Sequence, residues 1–269
     1  MRRAIIKIKF ITSIFFFILF ISCKEHTTST KDIVNEVKVD TNTIATLVSK
    51  QKTIEKPVIE KDFILGKYDY KKHIDFEKVS PNHSSKTIYI QKDTYKAFIN
   101  MFDAAKLDGI NLKIISGTRS FYEQKGIWER KWEKYKALKP LDRAKKILEY
   151  SSMPTTSRHH WGTDIDINNL NNGYFDNGQG KKEYEWLVKN ANTYGFYQVY
   201  TSKNQGRTGY NLEKWHWSYL PLASTYLKFY NDSISYDDII GFKGFELAKQ
   251  CKMISDYVNG ISKVAKAYK

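Results

Sequence analysis

Ser157-Arg158-His159-His160-Trp161-Gly162-Thr163-Asp164-Ile165-Asp166 is the stretch whose reading organises the rest of the chain. Ile165 and Ile167 alternate with Asp164 and Asp166, which predicts a strand carrying both carboxylates on one face and both isoleucines on the other. His159 sits in the loop before that strand, at its entrance. About fifty residues on, Glu213-Lys214-Trp215-His216 leads through a short aromatic strand, Trp215 to Tyr219. Two imidazoles and one carboxylate (His159, His216 and Asp166) can hold a zinc ion and leave a coordination position for water. Glu213 is then a separate carboxylate able to take a proton from that water, a set sufficient for hydrolysis of an amide bond. Residues three apart lie on opposite faces of an ideal strand, so the backbone must bend between Glu213 and His216 if both serve one site. His160 offers a second candidate imidazole one position away. A single histidine reads most simply as a polar surface residue; the joint spacing singles this set out.

Outward from that stretch the chain alternates helices and short strands. Asp93 reads as the cap of a helix with Phe98, Met101, Phe102 and Ala105 on one face, closed at Asp108-Gly109. Asn111 to Ile115 alternates as a strand. Ser120-Phe121-Tyr122-Glu123 has capping-box spacing and predicts a helix burying Ile127, Trp128, Trp132 and Tyr135. Further helices are predicted over Leu141 to Tyr150 and over Glu183 to Tyr194, the second closed by Gly195. Asn168 to Gly180 is turn-rich and reads as a loop, and the C-terminal residues read as helical. With no internal repeat and about 200 residues from Phe63 to Lys269, this is one compact α+β domain.

Three of these elements closely resemble the VanY-type D-alanyl-D-alanine carboxypeptidases, zinc peptidases of the M15 family. That pattern, Ser-x-His-x-x-Gly-x-x-x-Asp followed by Glu-x-x-His, is met by Ser157 to Asp166 and by Glu213 to His216. An upstream Ser-x-x-Arg-Ser-x-x-x-Gln element is met by Ser116-Gly117-Thr118-Arg119-Ser120-Phe121-Tyr122-Glu123-Gln124. The three occur in family order. The resemblance implies a hedgehog-like α+β domain whose small, mainly antiparallel sheet carries the zinc site between flanking helices. It implies His159, Asp166 and His216 as ligands of one zinc ion, Glu213 as general base, and Arg119, Ser120, Gln124 and Ser157 as contacts to the substrate peptide. A guanidinium such as that of Arg119 can hold a terminal carboxylate by two parallel hydrogen bonds. A surface salt bridge is the bland alternative for Arg119; for Ser120 it is helix capping, which its hydroxyl can combine with a substrate contact. Two positions depart from the pattern. Asp164 stands where the family is usually small, and can support His159 or the metal; Thr118 stands where Tyr is common, which puts the shape of the substrate pocket in question.

The implied activity is removal of a terminal D-alanine from peptidoglycan stem peptides. L,D-carboxypeptidase or D,D-dipeptidase action on the same polymer shares the metal logic. A non-catalytic, zinc-containing wall-binding lipoprotein is the alternative of another class, against which the intact Glu213 counts. Other chemistries fit less well. Asp164-x-Asp166-x-Asn168 opens like a calcium loop, yet Asn169 and Phe175 stand where that loop needs Gly and Glu. The chain has no Gly-rich phosphate loop and no Gly-x-Ser-x-Gly elbow.

The N-terminus supplies an address. Arg2, Arg3, Lys7 and Lys9 precede an apolar run from Phe10 to Ile21, shorter than the roughly 20 residues of a membrane span, so residues 1–23 read as a secretion signal. Phe20-Ile21-Ser22-Cys23 resembles the lipobox of bacterial lipoproteins, with Cys23 as the lipidated residue; an uncleaved anchor helix is the other reading. Both place the domain in the cell envelope. Only Cys23 and Cys251 exist, so with Cys23 lipidated there is no intrachain disulfide and the metal site draws on His and carboxylates. Cys251 reads as a small buried residue. Residues 24–62, without aromatics or glycine, read as a flexible tether to the zinc carboxypeptidase domain at 63–269. Loss of 1–23 lowers the formal net charge from +15 to +11. Scattered lysines and export argue against nucleic acid and favour an anionic envelope surface.

Overall fold

A computed structural model describes residues 59–268. The secretion signal, Cys23 and the tether up to residue 58 lie outside them. A four-residue helix, α1 (Lys61–Ile64), is the first element, so regular structure starts two residues inside the stretch read as tether. Among the described residues no helix is long and apolar enough to cross a membrane.

Two antiparallel sheets organise the domain. The smaller pairs β1 (Phe76–Lys78) with β2 (Tyr89–Gln91). The chain then passes through α2 (Lys92–Leu107) into β3 (Ile114–Ser116), and through α3 (Phe121–Lys134) and α4 (Pro140–Ile147) into β4 (Asp164–Ile167). After α5 (Gly178–Asn190), β5 (Phe196–Gln198) and β6 (His216–Tyr219) complete a four-stranded sheet of order β3-β4-β6-β5. The C-terminal part opens with α6 (Leu220–Ser233), continues through short 3-10 and π turns, and closes with α7 (Lys263–Lys266).

The alternation at 164–167 decides which face of this sheet is dry. Ile165 and Ile167 are fully buried in one cluster with Trp217, Phe196 and Ile114, packed on Phe98, Met101 and Ala105 of α2 and Leu187 of α5. Each such side chain contributes roughly 1.5–3 kcal/mol by leaving water, which locks the register. The odd-numbered residues being committed inward, Asp164, Asp166, His216 and Ser218 share the opposite face. Beyond it lies a second cluster that includes Trp128, Trp161, Tyr210, Leu220 and Tyr230. Cys251 is buried there and has no disulfide partner among the described residues.

Several boundaries differ from the sequence reading, for local reasons. Gln91 still belongs to β2, so α2 begins at Lys92 and Asp93 falls in its first turn rather than at its cap. A carboxylate there still favours the helix through the macrodipole. Leu112 is buried, yet pairing in β3 starts only at Ile114 rather than at Asn111. Asn168, at φ +61°, takes over the preceding bonds: its side chain accepts from Lys113 N at 2.6 Å and its N–H donates to the Lys113 carbonyl at 2.9 Å. The stretch read as loop holds a short 3-10 turn, Asn172–Asp176, and α5 begins at Gly178. The last turn of that helix tightens to 3-10 over Ala191–Tyr194 before Gly195 at φ +80°.

Candidate active site

β4 and β6 run antiparallel with Asp166 directly opposite His216 and Asp164 opposite Ser218. Cross-strand neighbours on one face lie about 5 Å apart, so the register itself delivers a carboxylate to an imidazole. His159 arrives from a 3-10 turn, Arg158–Trp161, that ends on Gly162 at φ +70°. A Cβ at Gly162 would come within 2.3 Å of the Phe76 ring. Only glycine allows both that backbone conformation and that approach, and the turn then aims His159 at the sheet.

The result is a compact triad. One ligand-type atom from each of His159, Asp166 and His216 lies within 4.8 Å of the others. Asp166 Oδ1 is 3.1 Å from His216 Nδ1 and 3.5 Å from His159 Nε2. The far nitrogen of each ring is tied down. His159 Nδ1–H donates to the Gly117 carbonyl at 2.8 Å, and His216 Nε2–H donates to Asp164 Oδ1 at 2.9 Å. These bonds select the tautomers, leaving His159 Nε2 and His216 Nδ1 facing Asp166. Donor set, spacing and outer hydrogen bonds all fit a tetrahedral cation such as zinc.

His160, the neighbouring candidate, is committed elsewhere. Its Nδ1–H donates to the Arg119 carbonyl at 2.7 Å, and its Nε2 accepts from Thr155 N at 3.2 Å. Burial pushes its pKa down to about 3, as suits a neutral ring clamping two loops.

Asp164 does not touch His159; its role is toward His216. Fully buried, it accepts from Arg158 Nε at 3.0 Å, Thr163 Oγ1 at 2.7 Å and Ser218 Oγ at 3.0 Å as well as from His216. Burial alone would raise its pKa, but the Arg158 guanidinium and His216 hold it well below the usual carboxylate range. Asp166 is likewise held low against burial by the two histidines. His216, caught between both aspartates, is pushed up to about 9 although burial opposes this. A cluster that grips a proton so strongly has surplus negative potential for a cation.

Glu213 reaches the same place by the bend the sequence required. Residues 213–215 lie outside β6, and His216 N–H bonds back to the Glu213 carbonyl at 3.3 Å. That turn places Glu213 Oε2 3.7 Å from His216 Nδ1. Without a metal ion, burial pushes the Glu213 carboxyl up to about 8.

The triad and Glu213 line a cavity of about 570 Å³. Arg119, Gln124 and Ser157 line it too. Among the described residues Arg119 meets no carboxylate, and its buried Nε lacks a hydrogen-bond partner, so the surface salt bridge is absent. Gln124 Oε1 and Ser157 Oγ are also buried without partners. Unmet donors and acceptors on a cavity wall cost stability unless a ligand meets them. Ser120 is different. Its Oγ accepts from Glu123 N at 3.2 Å, Glu123 Oε2 accepts from Ser120 N at 2.7 Å, and the residue does not line the cavity. Thr118 is buried outside the lining. The sequence reading missed Lys131, Arg158, Tyr200 and Tyr210, all on the cavity wall. Lys131 could have been found at seven residues from Gln124, two helical turns on one face.

Similarity to known proteins points the same way. YodJ of Bacillus subtilis (strain 168), whose name places it provisionally among the carboxypeptidases, is 34% identical over 134 residues, 49% of this chain and 46% of the relative. A D-alanyl-D-alanine carboxypeptidase of Enterococcus faecalis (strain ATCC 700802 / V583) is 30% identical over 144 residues, 52% of each chain. The chain thus spans about half the length of these curated relatives. A zinc-bound variant of the vancomycin-resistance D,D-pentapeptidase VanY from a VanB-type cassette is 25% identical, with a TM-score of 0.46 over 61% of this chain and 87% of that one. The family described as VanY, D-alanyl-D-alanine carboxypeptidase, matches residues 87–222, half of the chain and the whole of the site just described, and the chain belongs to that family.

Proposed function

We propose that the chain is a zinc-dependent D-alanyl-D-alanine carboxypeptidase acting on peptidoglycan stem peptides. The convergence of His159, Asp166 and His216 beside Glu213, in one cavity with Arg119, carries this reading. The Enterococcus relative, named for that activity, supports it.

His159 Nε2, His216 Nδ1 and an Asp166 oxygen would hold the ion. Bound there, zinc supplies Lewis acidity toward a water and toward the scissile carbonyl. Glu213 takes the proton from the attacking water and returns it to the departing amine, a role its position beside the triad suits. Arg119 grips the terminal carboxylate, and Gln124 and Ser157 offer their unmet oxygens to the peptide backbone. Asp164 keeps His216 in the tautomer whose Nδ1 faces the ion. Residues 1–23 would direct export, with Cys23 lipidated and 24–62 tethering the domain to the membrane, as the charged, apolar and lipobox-like run of the N-terminus supports.

The test is mass spectrometry of defined peptides incubated with the zinc-loaded protein. Release of one D-alanine from a peptide ending in D-alanyl-D-alanine, stopped by chelator, is the expected result. Glu213→Ala should keep zinc and lose roughly 10³-fold or more in rate, within the range for loss of a general base and its electrostatic role. Near-normal turnover by that variant would refute the mechanism. Cleavage only of peptides ending in a single D-alanine would shift the activity to L,D-carboxypeptidase.

A further inference from the structure

Gln124, Ile127 and Lys131 fall on one face of α3 and all line the cavity. Lys131 is the odd member of the wall. It is half-buried, its ammonium donates to the neutral Ser151 Oγ, and among the described residues no carboxylate comes within ion-pair distance of it. A lysine held partly out of water without a close ion pair is a costly arrangement; burial depresses its pKa, and the Glu213 carboxylate beyond ion-pair distance only partly offsets this.

Charge balance around the cavity leaves this lysine over. Asp166 and Glu213 offset a divalent cation. Arg158 is neutralised by Asp164 at 3.0 Å. Arg119, on the reading above, takes the substrate's terminal carboxylate. One positive charge then remains on the wall, and its position can be measured along the helix. Lys131 lies seven residues beyond Gln124, about 10 Å at 1.5 Å per residue. Gln124 lines the cavity together with Arg119, and from the Gln124 end an extended peptide covers the same distance in about three residues.

We propose that Lys131 is a specificity-determining residue that binds a second carboxylate of the substrate, carried on the side chain of the third residue from the C-terminus. The preferred substrate class is thus a dicarboxylate peptide, gripped at Arg119 by its end and at Lys131 by its side. Tyr150 and Leu170, both exposed at the same cavity, are placed to cover the apolar stem between the two charges. The inference rests on the carboxypeptidase reading of the site.

The experiment uses two peptides ending in D-alanyl-D-alanine whose third residue from the end is diaminopimelate. In one the side-chain carboxylate is free; in the other it is a carboxamide. Calorimetric affinities are measured on the full-length, zinc-loaded Glu213→Gln protein, which does not consume them. The free carboxylate should bind about tenfold tighter, the scale of one charge-assisted contact. Adding Lys131→Met should bring the two affinities within twofold of each other, and adding Lys131→Arg should keep the preference. If Lys131→Met weakens both peptides equally, or leaves the preference intact, Lys131 does not read that carboxylate and the inference is overturned. If the zinc-loaded Glu213→Gln protein binds neither peptide, the carboxypeptidase reading itself is overturned, and the inference with it.

Discussion

Asp164 and Glu213 are both buried carboxylates, and their surroundings drive them in opposite directions. Asp164 has a guanidinium, an imidazole and two hydroxyls around it and stays ionised. Glu213 has less to offset its burial and is pushed up to about 8. The first can therefore brace a ligand while the second moves a proton. If Asp164 braces His216, Asp164→Ala should weaken zinc binding by roughly 10–100-fold, the usual effect of losing such an outer partner. Competition with a chromophoric chelator reads that affinity, and side-chain nitrogen NMR reads whether His216 keeps its Nε2–H form. Affinity within twofold of wild type would show that Asp164 is merely buried. Glu213 also links pH to the stability of the metal-free protein. Between its ordinary value near 4.5 and about 8, the folded chain holds a proton there that the unfolded chain has released, so stability falls as pH rises through that window. His216 acts in the same sense, its contribution complete below 6.5 and lost as pH passes about 9. Below about pH 6.5 the neutral His159 and His160 act in the opposite sense, so it is from pH 7 to pH 9 that denaturant midpoints of metal-free protein should decline, and Glu213→Gln should flatten the decline. An identical slope in that variant would contradict the assignment.

At the scale of elements, what could be read in advance was whatever repeats or caps locally. Ile165 and Ile167 alternating with two aspartates announced β4 and its polar face. Ser120 and Glu123 announced the start of α3, and both bonds of that capping box are present. Glu213 and His216, three apart on a presumed strand, announced a bend. What stayed hidden depended on distant chain. The late start of β3 is caused by Asn168, which lies more than fifty residues away and takes over the bonds of Lys113. The partnership of Asp164 with His216 follows from strand register, and no local pattern displays it. Arg158 looked like a spacer between Ser157 and His159, yet it is buried against Asp164 and Ser218. Ser120, linked to substrate by resemblance, also shows the capping bond that its spacing to Glu123 announced. Ser120→Ala should cost about 1 kcal/mol of stability as a lost N-cap, seen as a lower melting temperature. KM for a D-alanyl-D-alanine peptide should stay within twofold; a rise of tenfold would restore Ser120 to the substrate site.

Over the whole molecule, two apolar clusters sandwich a sheet whose polar face is the site. The arrangement explains how so many charges stay buried. Arg158 answers Asp164, the histidines answer Asp166, and the residual charge of Glu213, Arg119 and Lys131 opens onto one cavity, where an ion and a peptide can meet it. Everything proposed for catalysis depends on His159, Asp166 and His216 sharing one cation. Anomalous X-ray diffraction at the zinc edge, on crystals of the zinc-loaded protein, tests this most directly. The account predicts one strong peak per chain within bonding distance of His159 Nε2, His216 Nδ1 and an Asp166 oxygen, with Glu213 beside it and unbound. A peak elsewhere, or no peak at this triad under saturating zinc, would contradict it.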